Sequence, residues 1–377
     1  MRSFIGISKN IPQAILGKII AEVSSGSAET DSFLFVAENQ NGEASKSGII
    51  LSKTVSLPNS YNGFVFQLAE YQAPLCIGDI ILLEPDGLCT VLYERKSFCN
   101  SILLTEQCEC RCIMCPQPPR RDQDNLVDLS LRVISLIDAD AKVLGITGGE
   151  PTLVWEGLKE VLSACRRHIP QASIQLLTNA RTLKDYRKAK ELAEAGGDNL
   201  FVCVSLYADI NTLHDQIVFS KEAFWDTLEG IYNLERVGIP IELRTVITRM
   251  NYWRLSQWAE FVYRTFPFVA HIALMGMEPI GLALENIERL WTDPIDYMPQ
   301  LNQAVKILHR SNMNVSIYNH QLCTMPENLW PFAKKSISEW KTIYLPECND
   351  CKMRSVCGGF FHSGLAYPSR GIDTIKA

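Results

Sequence analysis

From Ile102 onward the chain alternates short apolar runs with amphipathic stretches of helical period, and this alternation limits the fold more than any other feature. Candidate strands cover 102–105, 143–147, 173–177, 200–206, 239–247 and 270–275. Candidate helices lie near 126–138, 154–167, 182–195, 221–237, 255–265 and 296–311. Strands of this kind, each followed by a helix, pair in parallel with helices covering the sheet. Six βα units fit a partial (β/α)6 barrel, in which functional groups gather at the C-terminal strand ends. Val315-Ser-Ile-Tyr-Asn-His320 is a candidate last strand.

Residues 1–97 read differently. Short apolar runs at 33–36, 48–51, 64–68, 80–83 and 88–93 are separated by turn signals such as Asp86-Gly87, which predicts a small β-rich domain. With 377 residues, 47% of them hydrophobic, there is material for roughly two to three domains. The expected division is a β-rich domain at 1–97, the partial barrel at 98–312, a cysteine-rich segment at 313–362 and a loosely ordered tail at 363–377.

The balance of 36 basic and 42 acidic side chains, net −6, argues against nucleic acid or an anionic membrane as the main partner. The apolar stretch 11–20 is cut by Gln13 and Lys18 and lacks a small-residue cleavage site, so no signal peptide is expected. The stretch 266–284 is broken by Pro267, His271, Glu278 and Pro279, so no membrane span is expected either. A cytoplasmic location follows, and in a reducing compartment thirteen cysteines point to metal ligation rather than disulfides.

Two groups of those cysteines are closely spaced. Cys108, Cys112 and Cys115 follow a predicted strand with C-x3-C-x2-C spacing. Three thiolates leave one iron of a 4Fe-4S cluster open to a small molecule, as catalytic metal sites keep one position free. The alternative is a zinc knuckle that also uses Cys110. Cys348, Cys351 and Cys357, with Cys323 earlier in the chain, make a second set of four that would close a site for a second cluster or for zinc. Gly148-Gly149-Glu150-Pro151-Thr152 follows the second barrel strand. It reads either as a loop whose backbone approaches a ligand and whose carboxylate meets an ammonium group, or as a tight turn with a helix-start glutamate. Cys76, Cys89, Cys99, Cys165 and Cys203 lie on apolar segments and read as core thiols.

The order of these two motifs resembles the radical S-adenosylmethionine superfamily over residues 100–320. Cys112-Ile-Met-Cys-Pro-Gln-Pro-Pro119, Leu274-Met-Gly-Met-Glu-Pro279, Leu329-Trp-Pro-Phe-Ala333, Lys335-Ser-Ile-Ser-Glu-Trp340 and Cys357-Gly-Gly-Phe-Phe361 further resemble the HxsC-type maturases of the His-Xaa-Ser system. The resemblance implies that Cys108, Cys112 and Cys115 hold a 4Fe-4S cluster. It implies that Gly148, Gly149, Glu150 and Pro151 line the S-adenosylmethionine site, with Asn179, Ser205 and Arg244 facing polar groups of that cofactor. For the last three the bland readings are a cap, a turn and a structural ion pair. Met114 stands where the superfamily usually has an aromatic residue over the adenine, and a thioether can pack there instead.

The implied activity is reductive cleavage of S-adenosylmethionine to a 5'-deoxyadenosyl radical, which abstracts hydrogen from a ribosomally made precursor peptide of His-Xaa-Ser repeat type. The implied partners are that precursor, a sister radical SAM maturase and an electron donor such as flavodoxin or ferredoxin. The cysteines Cys323, Cys348, Cys351 and Cys357 resemble an auxiliary 4Fe-4S site. Other readings are a methylthiolating or sulfur-inserting enzyme and a zinc-stabilised interaction protein. No catalytic acid or base is identified.

Overall fold

The computed structural model describes residues 2–9, 11, 13–22, 32–38, 44–51, 64–68, 75–120, 126–335 and 342–376. The chain forms two compact units. The first comprises Met1–Ile102 with Leu126–Leu144 and Glu160–Ala172. The second comprises Leu103–Asn125, Gly145–Lys159 and Ser173–Ala377. The first unit thus extends past residue 97 and takes in later segments, and 313–362 belongs to the second.

Seven strands close into a barrel in the first unit: β1 (Arg2–Lys9), β2 (Ile15–Glu22), β3 (Ser32–Glu38), β4 (Ala44–Leu51), β5 (Phe64–Leu68), β6 (Ile80–Leu83) and β7 (Leu88–Tyr93), in the order β1-β5-β4-β3-β2-β6-β7. All pairs are antiparallel except β4 with β5. β7 alternates strictly between half-buried and buried positions, the period of a strand with one face on a core. That core includes Phe4, Ile15, Ile19, Phe66, Ile81, Leu83 and Val91. β1 and β2 were not among the strands expected from sequence. β1 pairs only with partners some sixty to ninety positions away, Gly6 with Leu68 and Arg2 with Val91, and β2 reaches as far on one of its edges, Ile15 with Leu83, which local pattern does not encode.

The main sheet has eight strands in the order β15-β14-β13-β12-β11-β10-β9-β8: β8 (Asn100–Leu103), β9 (Val143–Thr147), β10 (Ser173–Thr178), β11 (Leu200–Ser205), β12 (Ile241–Ile247), β13 (His271–Gly276), β14 (Val315–Tyr318) and β15 (Ala333–Lys334). The pairs from β10 through β15 are parallel. β11 reads as a nearly continuous apolar run because helices cover parallel sheets, whereas β12 carries Glu242, Arg244 and Thr245 among its apolar residues. The helices are α1 (Leu126–Leu136), α2 (Trp155–His168), α3 (Tyr186–Gly196), α4 (Asn211–Val218), α5 (Ala223–Arg236), α6 (Leu255–Thr265), α7 (Leu282–Glu285), α8 (Ile287–Leu290) and α9 (Pro294–Arg310). The expected α/β architecture is present, with a β-rich N-terminal unit and a cysteine-rich C-terminal segment. A two-stranded ribbon, β16 (Thr342–Ile343) with β17 (Phe360–Phe361), lies in that segment. Of the motif at 335–340, only Lys335 is among the described residues.

The tail is more ordered than expected. Asp293 caps α9 by accepting from Ile295 N at 3.2 Å, and the same carboxylate accepts from Ser369 Oγ at 2.5 Å and Arg370 N at 2.9 Å. Further on, Thr374 Oγ1 donates to Glu347 O at 2.6 Å and Lys352 N to Ile375 O at 3.2 Å. A buried cap carboxylate has more lone pairs than the helix can use, and the tail supplies the remaining donors.

Candidate active site

The segments that follow β8, β9, β10 and β11 converge on one cavity of about 180 Å³ in the second unit. Cys108, Cys112, Met114, Cys115, Gly148, Gly149, Glu150, Asn179 and Ser205 all line it.

The cysteine loop is held by backbone bonds on every side. Gly149 N donates to Thr105 O at 2.7 Å and Glu150 N to Gln107 O at 2.6 Å, so the loops after β8 and β9 continue the pairing of their strands. A Cβ on Gly149 would stand 2.1 Å from Gln107 O, and one on Gly148 would stand 2.5 Å from Thr105 O. The glycines are therefore required by the approach of the two loops to each other, a use the sequence did not reveal. Farther along, Arg111 N and Ile113 N donate to Val218 O and Ile217 O at the end of α4, each at 3.0 Å, and Leu282 N donates to Cys115 O at 2.9 Å. Gly281, at φ +57°, passes so near Cys115 O and Pro116 O that no side chain fits there.

Replacing Gly149 with Ala is expected to cost about 2 kcal/mol or more, because the clash is with backbone rather than a movable side chain. Urea unfolding of the wild type and the variant measures it. An unchanged midpoint would show that the loops separate freely.

Glu150 is 1% exposed. Its carboxylate accepts from Thr152 N at 3.0 Å, Thr152 Oγ1 at 2.7 Å, Thr178 Oγ1 at 2.7 Å and Asn179 N at 2.7 Å. Burial and the Glu109 charge still hold its carboxyl above the usual range, against those bonds. The carboxylate therefore braces the loops after β9 and β10, and Pro151 starts the short helical turn that Glu150 caps. Asn179 reaches across with Nδ2 to Glu109 Oε1 at 2.9 Å and toward Cys110 Sγ at 3.7 Å.

The thiols differ in environment. Burial pushes Cys112 and Cys115 up, while Cys108 is pushed up first by its contact with Cys110 and then by burial. Cys110 is 3% exposed and packs with Val218 and Ala223. Its thiol is shifted down by Cys108 and, against burial, by the Arg181 guanidinium, whose Nη1 lies 3.8 Å away. Among the described residues, no three His, Cys, Asp or Glu side chains converge on a point that one metal ion would occupy.

Several cavity residues were not singled out from sequence. Arg181 is fixed by Asp226 at 2.9 Å and Ser220 at 2.7 Å. His214 Nδ1 accepts from Tyr207 N at 3.3 Å, and both residues line the cavity. Their only local sign was position shortly after a strand, which many structural residues share. The structure places Arg244 outside this cavity. It lies on β12 beside Glu242, with Nη2 3.3 Å from Cys203 Sγ.

Of the C-terminal cysteines, Cys323 is pushed up by burial, with Cys357 and Cys348 close enough to add to the shift. Cys357 Sγ accepts from Leu322 N and Gly359 N, each at 3.5 Å, and Cys351 follows in the turn closed by its N–H on Cys348 O at 3.3 Å.

This parallel sheet, with a three-cysteine loop and a glycine-rich loop stitched together at its C-terminal edge, matches the family model of the radical SAM superfamily over residues 102–262. The chain carries a radical SAM domain, the domain of enzymes that use S-adenosylmethionine, and the family implies a 4Fe-4S cluster. An uncharacterized protein of Methanocaldococcus jannaschii is 24% identical over 251 residues, 64% of this chain and 82% of that protein. GTP 3',8-cyclase of Helicobacter pylori is 32% identical over 154 residues, 39% of this chain; the chain spans 46% of the cyclase. Among solved structures, Streptococcus suis SuiB bound to S-adenosylmethionine aligns with a TM-score of 0.48 at 15% identity, over 60% of this chain and 51% of SuiB.

Three soft thiols on one cavity wall, in a loop held by backbone bonds, suit iron-sulfur ligation.

Proposed function

We propose that the chain is a radical SAM maturase acting on a ribosomally made precursor peptide, with Cys108, Cys112 and Cys115 holding the open 4Fe-4S cluster. The observation that carries the radical chemistry is the single cavity shared by these cysteines, Met114, Gly148, Gly149, Glu150, Asn179 and Ser205. When bound, the cluster supplies the electron that breaks the sulfonium bond of S-adenosylmethionine and starts hydrogen abstraction. The residues around it hold the cofactor. Met114 would pack on the adenine and the backbone of 148–149 would meet the methionyl amino group, while Glu150 with Pro151 keeps that loop in place. Asn179 and Ser205 would hydrogen-bond the cofactor's polar groups. Arg181, held by Asp226, meets the cysteine loop at Cys110 Sγ.

Cys323, Cys348, Cys351 and Cys357 would hold a second cluster. A cavity of about 80 Å³ supports the peptide reading. Ile247, Gly276 and Asn319 at the strand ends line it, together with Gly358–Phe361 and Tyr367. A pocket of this size takes one side chain of a peptide lying across it. The proposed partners are the His-Xaa-Ser precursor, a sister maturase and flavodoxin or ferredoxin, in the cytoplasm. Among the described residues no helix is long and apolar enough to cross a membrane.

The similarity to GTP 3',8-cyclase favours a second reading, in which the same radical acts on a nucleotide. Anaerobic incubation of reduced protein and S-adenosylmethionine with a His-Xaa-Ser precursor, and in parallel with GTP, separates the two. A mass change in the peptide is expected, and conversion of GTP with an unchanged peptide overturns the maturase reading.

A further inference from the structure

Within the second unit, a separate chamber of about 80 Å³ is lined by Gln175, Glu242, Arg244, Ala273, Met275, Tyr318 and Asn319. On the same scale a single water needs about 10–15 Å³, so the chamber has room for a small polar group. Its charged residues are tied together. Glu242 Oε1 pairs with Arg244 Nε, and Oε2 lies 2.5 Å from His271 Nδ1, whose Nε2 lies 2.9 Å from Ser316 Oγ. Both oxygens of the carboxylate are thereby taken. Arg244 spends Nη2 on Cys203 Sγ, which leaves Nη1 without a partner among the described residues and not sealed off. The Gln175 amide likewise has no hydrogen-bond partner among the described residues, and the Tyr318 phenol lines the same chamber.

Holding a guanidinium away from bulk water costs free energy unless its donors are used, and the unspent Nη1 stands beside the Gln175 amide and the Tyr318 phenol, each of which can add a donor. The ligand chemistry that completes such a set of donors is a carboxylate, which a guanidinium meets with charge-assisted hydrogen bonds. Arg244 and Val246 point to the same side of β12, and Val246 lines the cysteine cavity. Two residues along a strand span about 7 Å, so a group held here lies one layer toward the strand N-termini from that cavity.

We propose that Arg244, with Gln175 and Tyr318, forms a carboxylate-binding subsite in the interior of the sheet, one layer from the cysteine cavity. Its use in selecting a substrate with an acidic group rests on the radical reading above. Binding itself does not.

The test is calorimetric titration of the full chain, without reductant or S-adenosylmethionine, with N-acetylglutamate methylamide and its neutral analogue N-acetylglutamine methylamide. The acid is expected to bind at least about tenfold more tightly than the amide. Arg244→Gln should lose that preference, and Arg244→Lys should recover part of it. Arg244→Gln leaves Glu242 with one partner fewer and can misfold. Ala273→Leu is therefore the second variant, since it fills the chamber and removes no charge, and it should weaken the acid by about tenfold with circular dichroism unchanged. Equal affinity for the two probes, no detectable binding of the acid, or full binding by Ala273→Leu overturns the proposal. Absence of radical chemistry in a chain that binds the acid would overturn only the reading of function.

Discussion

Changing Cys108, Cys112 and Cys115 together to Ala is expected to remove about four irons per chain and to abolish cleavage of S-adenosylmethionine while the fold persists. The loop that carries these cysteines is fastened by the backbone bonds of Arg111, Ile113, Gly149, Glu150 and Leu282, none of which involves a thiol. All three side chains are half-buried and none belongs to the fully buried core, so their loss leaves small gaps at a cavity wall. The loss of activity should exceed about a thousandfold, because no other group in the cavity can pass an electron. Iron content, the electron paramagnetic resonance spectrum after dithionite and the yield of 5'-deoxyadenosine measure it. Iron that stays with the variant would refute the assignment, and stoichiometric zinc in the wild type would return the loop to a structural role. Cys110→Ala is the internal control. Its thiol packs with Val218 and Ala223, so the change should leave iron content intact.

A second large effect is expected on acidification. His214 and His320 are buried and held neutral, each with its pKa depressed by desolvation from 6.5 to about 4. Their hydrogen bonds explain which neutral form is held. His320 Nδ1 donates to Tyr318 O at 2.8 Å and Nε2 accepts from Tyr297 Oη at 2.8 Å. His214 Nδ1 accepts from Tyr207 N. A proton added to either accepting nitrogen opposes a donor that already points at it. The unfolded chain therefore binds more protons than the folded one between pH 6.5 and 4. Stability is complete above the unfolded value and falls as pH drops toward the folded one. Each histidine contributes roughly 3 kcal/mol at neutral pH, and together they make up a large part of a typical domain stability. Glu150 acts in the opposite sense, since its raised carboxyl favours the folded state at low pH. Thermal melts from pH 7 to 4 should show a steep fall that the His214→Asn, His320→Asn double variant flattens. An equal slope in the variant would refute the account.

The cysteine loop and the glycine loop were legible because their signals are local. Three cysteines at short spacing and a double glycine after a strand place thiols and a tight loop with no knowledge of the rest of the chain, and the strand and helix periods of 102–311 were legible for the same reason. Closure of the N-terminal barrel was not, since it needs β1 to pair with β5 and β7 and β2 with β6, all far along the sequence. Arg244 shows a subtler limit. Its place on the fifth strand of the expected barrel was readable, but the pleat and register that put it opposite Ala273, with Cys203, Glu242 and His271 around it, are properties of the assembled sheet.

By itself, then, the sequence determined the class of fold, the three thiols and the glycine-rich loop, because periodicity and short spacings act within a few residues. Tertiary structure alone decided that Glu150 braces loops, that Gly148 and Gly149 make room for Thr105 and Gln107, and that the tail closes on Asp293. It also decided that Arg181, Tyr207 and His214 share the cysteine cavity while Arg244 faces a chamber of its own. The physical reason is common to all of these. A buried polar group must find its partners wherever the folded chain brings them, and those partners stand tens of residues away in sequence.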